Sequence, residues 1–272
     1  MKTRRQVGTV IYHIFMILFA LLMLYPIVWM VMSSFKPSID VMSKSYELIP
    51  STWDFTNYYK GWVNGISNIP FSTFTWNSLY ISVLATLGTI ISASLAAYAF
   101  ARCKFKLRGF WFACMLISMM MPIQVVMIPQ YVMFQQFGWA QSSLPLIVPA
   151  FFAASYGPFS IFLMMQFMQG IPKDLDEAAT IDGATRLQRI IHINLPAIMP
   201  TIVIMLIMAV GGIMNLSFEK VLLMQTDSNT AVSEVISTYV YKLGIQRAQY
   251  SLSAAVGLFN NIINLILLVT VN

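Results

Sequence analysis

The chain has 272 residues, of which 58% are hydrophobic and only 10% are charged, and its mean hydropathy is +0.73. This composition is more apolar than that of soluble globular domains and predicts a membrane protein. The formal net charge of +6 does not indicate a nucleic-acid partner, because the basic residues flank apolar runs and are not interleaved with aromatic residues along a stripe.

Five long runs of the sequence contain no charged residue, and the third is long enough for two membrane crossings. A helix needs about 20 apolar residues to cross the hydrocarbon layer, whereas barrel strands would alternate over about 10 residues. The sequence therefore predicts an all-α membrane protein with six transmembrane helices, at residues 10–32, 78–101, 110–134, 144–168, 197–216 and 252–271.

The first run follows the basic segment "MKTRRQ" and resembles a secretory signal in that respect. Its apolar part exceeds 20 residues, and no small-x-small cleavage pattern follows before Lys36, so we expect a retained span. The cysteines Cys103 and Cys114, in a basic loop and in a span, do not indicate a disulfide framework.

Basic residues in short connections predict the orientation, because cytoplasmic loops are enriched in Lys and Arg. Three basic residues precede the first span, and the second connection, "ARCKFKLRG", has four and no acidic residue. The first connection mixes both charges, and the third has none. The N-terminus and the loop between spans four and five are therefore predicted to be cytoplasmic.

That cytoplasmic loop contains the acidic, alanine-rich stretch "DEAATIDGA" at residues 176–184. We expect Asp174 to cap a short helix, with Glu177 completing a capping box, and Gly183 to end it in a left-handed conformation. A second amphipathic segment follows and leads to Pro196. The loop is predicted to form two short helices at the membrane surface. Contact with lipid head groups is the alternative, but alanines and acidic residues favour a groove on a protein.

The segment "EAATIDGATRLQRIIHINLP" resembles the EAA motif in the permease subunits of ABC importers. The positions that match this motif in register are Glu177, Ala178, Ala179, Gly183, Ile193, Leu195 and Pro196. Weaker similarity extends over nearly the whole chain to permeases of the maltose and oligosaccharide type, and in the last 40 residues to the branch that imports polysaccharide fragments.

The resemblance implies one permease domain over residues 1–272, in the cell membrane as a multi-pass protein. It implies a second homologous permease subunit, two ATPase subunits, and an extracytoplasmic solute-binding protein as partners. ATP and Mg²⁺ would bind in the ATPase subunits, and no cofactor is expected in this chain. Residues 172–196, called the coupling loop below, would dock in a cleft of the ATPase through Asp176, Glu177, Ala178, Ala179, Asp182 and Gly183.

Other functional classes have weaker support in the sequence. There is no Walker-type phosphate loop, and the two histidines, His13 and His192, are too far apart in sequence to indicate a metal site, so we expect no enzyme activity in this chain. A stand-alone secondary carrier or channel is the alternative function, but it should show ionisable residues inside the spans or two similar halves, and the sequence has neither.

The resemblance also implies a carbohydrate substrate, namely an oligosaccharide, which needs hydroxyl and amide partners in place of charge. Candidate residues for the pathway are Tyr80, Gln124, Tyr131, Asn215, Asn260, Asn261 and Asn264. The alternative is that these polar side chains only hold helices together. Members of the family continue beyond the last span into a short tail, so we expect the sequence to be incomplete after Asn272.

Overall fold

The computed structural model of this protein describes residues 2–63, 69–153, 157–211 and 218–271, and no β-strand occurs among them. Fifteen α-helices are described in chain order: α1 (Lys2–Ser34), α2 (Ser38–Ser43), α3 (Thr56–Val63), α4 (Phe71–Arg102), α5 (Arg108–Met120), α6 (Ile123–Gln136), α7 (Leu144–Ile147), α8 (Gly157–Gly170), α9 (Lys173–Ile181), α10 (Arg186–Arg189), α11 (Leu195–Gly211), α12 (Phe218–Met224), α13 (Thr230–Ser233), α14 (Ile236–Tyr241) and α15 (Tyr250–Val271). A 3-10 turn at Val148–Phe152 and π turns at Ile190–Asn194 and Lys242–Gln246 join some of them.

Five helical stretches among these residues are long and apolar enough to cross a membrane, namely Gly8–Ser34, Phe71–Arg102, Leu144–Gly170, Arg186–Ile207 and Tyr250–Thr270. Five of the six predicted spans lie on these stretches, with the fifth span described only as far as Gly211. The third predicted span, 110–134, coincides with the pair α5 and α6, which are bent by 100°. The count is six only if this bent pair is one span.

The sequence predicts a single helix over 110–134, whereas the structure has a bend between α5 and α6. Pro122 explains this difference. Met121 and Pro122 are extended, with ψ angles of 123° and 134°. Proline has no N–H to continue the helical hydrogen bonds, and it disfavours a helical conformation at the residue before it. The run is continuous in hydropathy, but its backbone is not continuously helical.

The chain divides into two compact units. The first comprises residues 1–71 and 239–262, and aromatic rings pack its interior. Phe71 and Tyr239 are buried there with ring centroids 5.6 Å apart. A side chain at Gly61 would meet Val256 at 3.1 Å, so the glycine permits the close approach of α3 to α15.

The second unit comprises residues 72–238 and 263–272. Its core joins α4, α5, α8 and α11 through the buried side chains of Ala93, Ala97, Met115, Ile161, Met164, Met165, Met168 and Ile198. Alanines on α4 allow neighbouring helices to approach, and flexible methionine side chains fill the remaining space. Since α8 and α11 flank the coupling loop, this core holds both ends of the loop close to α4.

The connection after the fifth predicted span forms hydrogen bonds with the first half of α4. Asn77 Nδ2 donates to the carbonyl oxygens of Ala231 and Glu234, at 2.9 and 3.1 Å. The backbone N–H of Ile236 donates to Ser78 Oγ at 3.0 Å. Buried backbone groups of a long connection therefore find partners on α4, which stabilises an otherwise irregular segment.

Lys220, on α12 in the same connection, is only 5% exposed. Its Nζ lies 5.6 Å from the centroid of the Phe134 ring. Burial lowers the pKa of Lys220 from 10.5 to about 8. The unfolded chain therefore binds the ammonium proton of Lys220 more tightly than the folded protein does. The buried charge lowers the free energy of unfolding.

We expect Lys220→Met to raise the thermal unfolding midpoint by a few degrees at pH 7, because methionine fills similar space without a buried charge. The loss of the ring contact, worth about 0.5–2 kcal/mol, offsets part of this gain. The loss of stability caused by the charge on Lys220 is largest below about pH 8 and decreases as the pH rises towards 10.5. The stabilisation by Lys220→Met should therefore be smaller at pH 10 than at pH 7.

The matched control is Lys60→Met, which changes an exposed lysine on α3. Thermal unfolding of the three proteins in detergent at both pH values is the measurement. Equal effects of the two substitutions at both pH values would contradict the cost assigned to Lys220.

Candidate functional site

The helix α9 has an exposed side and a side that faces the protein. Glu177, Ala178 and Asp182 are exposed, as is Gly183 directly after the helix. Asp176 and Ala179, which are three residues apart and therefore on one face, are half-buried. The six predicted coupling residues thus lie together on α9 and its C-terminal turn, but they point in two directions.

The start of α9 differs from the prediction. Asp174 does not cap the helix, because Pro172 is the residue before it and no side chain caps the first turn. Proline has the φ angle that a helix start requires and lacks an N–H that would need a partner. Asp174 and Asp176 instead lie within the first turn, where the positive end of the helix dipole stabilises their carboxylates.

The turn after α9 contains the left-handed glycine that the sequence predicts. Gly183 has φ of +80°, and its N–H donates to Thr180 O at 3.1 Å. The N–H of Ala184 donates to Ala179 O at 2.9 Å. This pair of hydrogen bonds is the Schellman arrangement, which ends a helix and satisfies its last carbonyl groups. Backbone geometry therefore fixes the residue at which α9 ends.

The second helix of the loop begins at a capping box that the sequence analysis did not identify. Thr185 N donates to Gln188 Oε1 at 2.8 Å, and Thr185 Oγ1 accepts from Gln188 N at 3.4 Å. Two N–H groups that have no helical partner are satisfied in this way. The motif "TRLQ" was visible in the sequence, but the acidic stretch before it directed the prediction to Asp174.

This second helix does not end before the membrane span. It continues through the π turn Ile190–Asn194 into α11, and the N–H of Leu195 donates to Ile190 O. Pro196 has no N–H, and its ring would clash with a carbonyl in a regular α-helix, so the wider turn before it is the expected accommodation. The coupling loop is therefore one short helix followed by the start of a long one.

The half-buried face of α9 contacts other helices of the second unit. Asp176 Oδ2 lies 3.6 Å from Arg102 Nε at the end of α4. Asp176 Oδ1 accepts from Asn194 Nδ2 at 3.1 Å. Sequence reasoning assigned Asp176 to the surface that meets the ATPase and used Arg102 only for orientation. No local signal pairs the two residues, which are 74 positions apart.

The exposed side of the loop contains apolar side chains that sequence reasoning did not select. Ile181 is 86% exposed, and Leu175 and Leu187 are at least half exposed. Ile181 follows Ala178 by three residues and therefore lies on the same face of α9 as Ala178. This helical spacing was the available signal. Together with Glu177, these side chains form a surface of one carboxylate among small and apolar groups.

The predicted pathway residues on α4 and α6 have structural contacts. Tyr80 packs against the buried cluster of Ile81, Val221 and Val235. Gln124 Nε2 donates to Glu219 Oε2 at 3.0 Å, and Gln135 Nε2 donates to the Tyr131 hydroxyl at 2.7 Å. These hydrogen bonds and packing contacts join the candidates to other residues and do not join one candidate to another.

The remaining pathway candidates are asparagines. Asn260 is buried, Asn261 is exposed, and Asn264 is half-buried on the same helix, α15. Asn260 and Asn264 are four residues apart and share a face. Asn264 Oδ1 is buried without a hydrogen-bond partner in the part of the chain that the structure describes. Asn215 lies outside the described residues.

Metal binding was not expected for this chain. Among residues 2–63, 69–153, 157–211 and 218–271, the structure has no group of three or more His, Cys, Asp or Glu side chains that could hold a metal ion. The chemistry that the described surfaces offer is recognition through hydrogen bonds, apolar contact and charge.

Comparison with known proteins identifies relatives over most of the chain. A family model described as "Binding-protein-dependent transport system inner membrane component" matches residues 88–271, more than half of the chain. The "Probable ABC transporter permease protein YurM" of Bacillus subtilis (strain 168) is 34% identical over 204 residues, which are 74% of this chain and 65% of that protein. The chain therefore spans slightly less than two thirds of the length of YurM.

Two further comparisons agree with this match. The "Galactooligosaccharides transport system permease protein GanQ" of the same organism is 30% identical over 200 residues, covering 74% of this chain and 69% of that protein. A solved structure of "a bacterial ABC transporter involved in the import of the acidic polysaccharide alginate" has a TM-score of 0.76 at 20% identity, covering 100% of this chain and 97% of that one. The helical fold is thus shared with a solved transporter subunit.

We expect Gly183→Ala to destabilise the turn after α9, because a left-handed conformation costs an L-residue about 1–2 kcal/mol. A Cβ at this position would meet no atom within 4 Å, so conformational strain is the only cost. Amide hydrogen exchange of residues 176–184 should accelerate about 5- to 30-fold.

Gly109→Ala is the matched control, since a Cβ there also meets no atom within 4 Å and φ is not in the left-handed region. It should leave exchange in residues 176–184 unchanged. Unchanged exchange in Gly183→Ala would contradict the role assigned to the glycine.

Proposed function

Because the chain belongs to the family of binding-protein-dependent transport system inner membrane components, we propose that it is a permease subunit of an ABC importer for a carbohydrate. It forms half of the translocation pathway, and a second homologous permease subunit forms the other half. Two ATPase subunits bind ATP and Mg²⁺ and supply the free energy. A solute-binding protein delivers the substrate from outside the cytoplasmic membrane.

The observation that supports coupling through residues 172–196 is the composition of the exposed face of α9. A carboxylate, Glu177, stands beside the small Ala178 and the strongly exposed Ile181. Small residues allow another backbone to approach, an apolar side chain gains free energy on burial, and a carboxylate makes charge-assisted hydrogen bonds. These are the properties of a helix that docks in a protein cleft.

Lipid binding by the same face is the weaker alternative. Asp174, Glu177 and Asp182 are exposed on or directly after α9. An anionic membrane surface attracts Lys and Arg and repels carboxylates, so this face is unsuited to lipid head groups. A protein partner with basic side chains or free backbone N–H groups is complementary to it.

The mechanism couples two conformations of the assembly. ATP binding brings the two ATPase subunits together, and a helix docked in each of them moves with its subunit. Because α9 is joined directly to α8 and, through Gly183, to the helix that begins at Arg186, its displacement reaches the membrane spans. The nucleotide shifts the equilibrium because it binds one conformation better than the other.

A carbohydrate substrate agrees with the polar groups of the spans. Hydroxyl groups of a sugar pair with amides and with tyrosine hydroxyls, and the candidates for this are Tyr80, Gln124, Tyr131, Asn215, Asn260, Asn261 and Asn264. In the described part of the chain, the side-chain amide oxygen of Asn264 is buried and has no hydrogen-bond partner, so it could accept a hydrogen bond from a substrate hydroxyl. The family relatives named for saccharide transport support the same substrate class.

We expect Glu177→Lys to abolish uptake while the protein stays in the membrane, because a lysine would place a positive charge against a cleft that accepts a carboxylate. The measurement is uptake of labelled oligosaccharide, with co-purification of the ATPase subunits as the second readout. Asp227→Lys is the control, since it makes the same charge change at an exposed residue in the connection after span five. Normal uptake by Glu177→Lys would refute the docking proposal.

Ile181→Ser should weaken the complex with the ATPase without changing the stability of this chain. The side chain is exposed in the free chain, so its removal costs little there, whereas a docked isoleucine contributes about 1.5–3 kcal/mol of apolar burial. The dissociation constant of the ATPase should therefore rise about 10- to 100-fold in a pull-down titration. Ile39→Ser, at another strongly exposed isoleucine, serves as the control.

A further inference from the structure

The end of α4 contacts the coupling loop through one arginine. Arg102 Nη2 donates to Ile171 O at 2.9 Å, and Nε lies 3.6 Å from Asp176 Oδ2. The side chains of Arg102 and Asp176 are only 7% and 19% exposed. A single guanidinium group therefore holds the segment after α8 and the first half of α9.

The carboxylate of Asp176 extends this contact to the long helix that follows. Its other oxygen accepts from Asn194 Nδ2, and Asn194 is 1% exposed. Asn194 Nδ2 also lies 3.2 Å from the carbonyl oxygen of Arg189. The connected series Arg102, Asp176 and Asn194 thus joins α4, α9 and the π turn that leads into α11.

A second contact joins the loop to α4 one turn earlier. The guanidinium carbon of Arg186, at the start of α10, lies 5.5 Å from the centroid of the Tyr98 ring, and Arg186 Nη2 donates to Cys103 Sγ. Tyr98 and Arg102 are four residues apart and share one face of α4. Tyr98 and Arg102 near the end of α4, and Cys103 directly after it, therefore contact the coupling loop.

We propose that Arg102 is a positioning residue that makes the cytoplasmic end of α4 move with α9 during transport. This inference depends on the proposed function, in which α9 docks on an ATPase. The helices α8 and α11 follow α9 through their covalent connections, but α4 is connected to it only through non-covalent contacts. Apolar packing does not specify direction, whereas a guanidinium that contacts a carboxylate and a carbonyl fixes the relative position of two helix ends.

The charge pair is also separated from the face that meets the partner. Arg102 contacts the inward carboxylate of Asp176, while Glu177 points outward. Removal of Arg102 therefore should not remove the docking surface. Its loss should affect the transmission of motion after docking, which is a property that an assay of the complete transporter can measure.

The test uses the complete transporter in proteoliposomes, with Arg102→Gln compared with Arg108→Gln. Arg108 is in the same basic connection and is exposed, so the control removes an equal charge nearby. We expect Arg102→Gln to lower uptake about tenfold, the scale of typical coupling effects, with the ATPase still bound and hydrolysing ATP. The number of ATP molecules hydrolysed per substrate imported should rise accordingly, and Arg108→Gln should leave it unchanged.

Further variants separate this role from a general loss of folding. Asp176→Asn should also lower uptake, and the double variant should lower it by less than the product of the two single effects, because both changes remove the contact that the two residues share. Exchange of the charges, as Arg102→Asp with Asp176→Arg, should recover part of the uptake. If Arg102→Gln does not reach the membrane, Arg102→Lys keeps the charge without the planar fork and should still raise the ATP cost of import.

Three results would overturn the inference: an unchanged ATP cost of import in Arg102→Gln or Arg102→Lys, release of the ATPase by either variant, or equal loss with Arg108→Gln. Glu177→Lys, measured in parallel, distinguishes these results from failure of the proposed function. Loss of uptake in Glu177→Lys with a normal ATP cost in Arg102→Gln overturns only the positioning role. Normal uptake in Glu177→Lys overturns the docking of α9 itself.

Discussion

The arrangement of the coupling loop depends on the contacts that the carboxylate of Asp176 makes with Arg102 and Asn194. A nine-residue helix outside the apolar spans buries too little surface to hold its own orientation, since short helices are only marginally stable in water. Two features compensate for this. Asp176 contacts Arg102 on α4 and Asn194 before α11, and the Schellman turn at Gly183 ends the helix at a defined residue.

The apolar core beneath the loop makes this polar contact possible. Alanines of α4, such as Ala97, let α8 and α11 approach closely, and Met164 and Met168 fill the space between them. Without this close approach, the side chain of Arg102 could not reach both Ile171 O and Asp176. Helices with small residues at their contacts are the usual way in which spans pack when lipid offers no hydrophobic driving force between them.

Most helical runs and the left-handed turn at Gly183 could be predicted from the sequence because both have local signals. Long uncharged runs identify spans, and the glycine of "IDGA" identifies a left-handed turn. The bend at Pro122 had a local signal too, but hydropathy averaged over a window does not report backbone geometry. Pro196 is only a weak local signal for the π turn before it, since Pro200 lies inside α11. The contact of Arg102 with Asp176 depends on tertiary structure and has no pattern in short sequence windows.

Two adjacent acidic residues of the motif have different roles for a geometric reason. Successive side chains of an α-helix point about 100° apart, so Asp176 and Glu177 cannot share one face. Asp176 is half-buried against Arg102, and Glu177 is exposed. A helix that contacts its own protein on one side and, in the proposed function, docks on a partner on the other needs a polar group on each side. The pair "DE" supplies both within two residues, and a single insertion between them would rotate one carboxylate away from its partner.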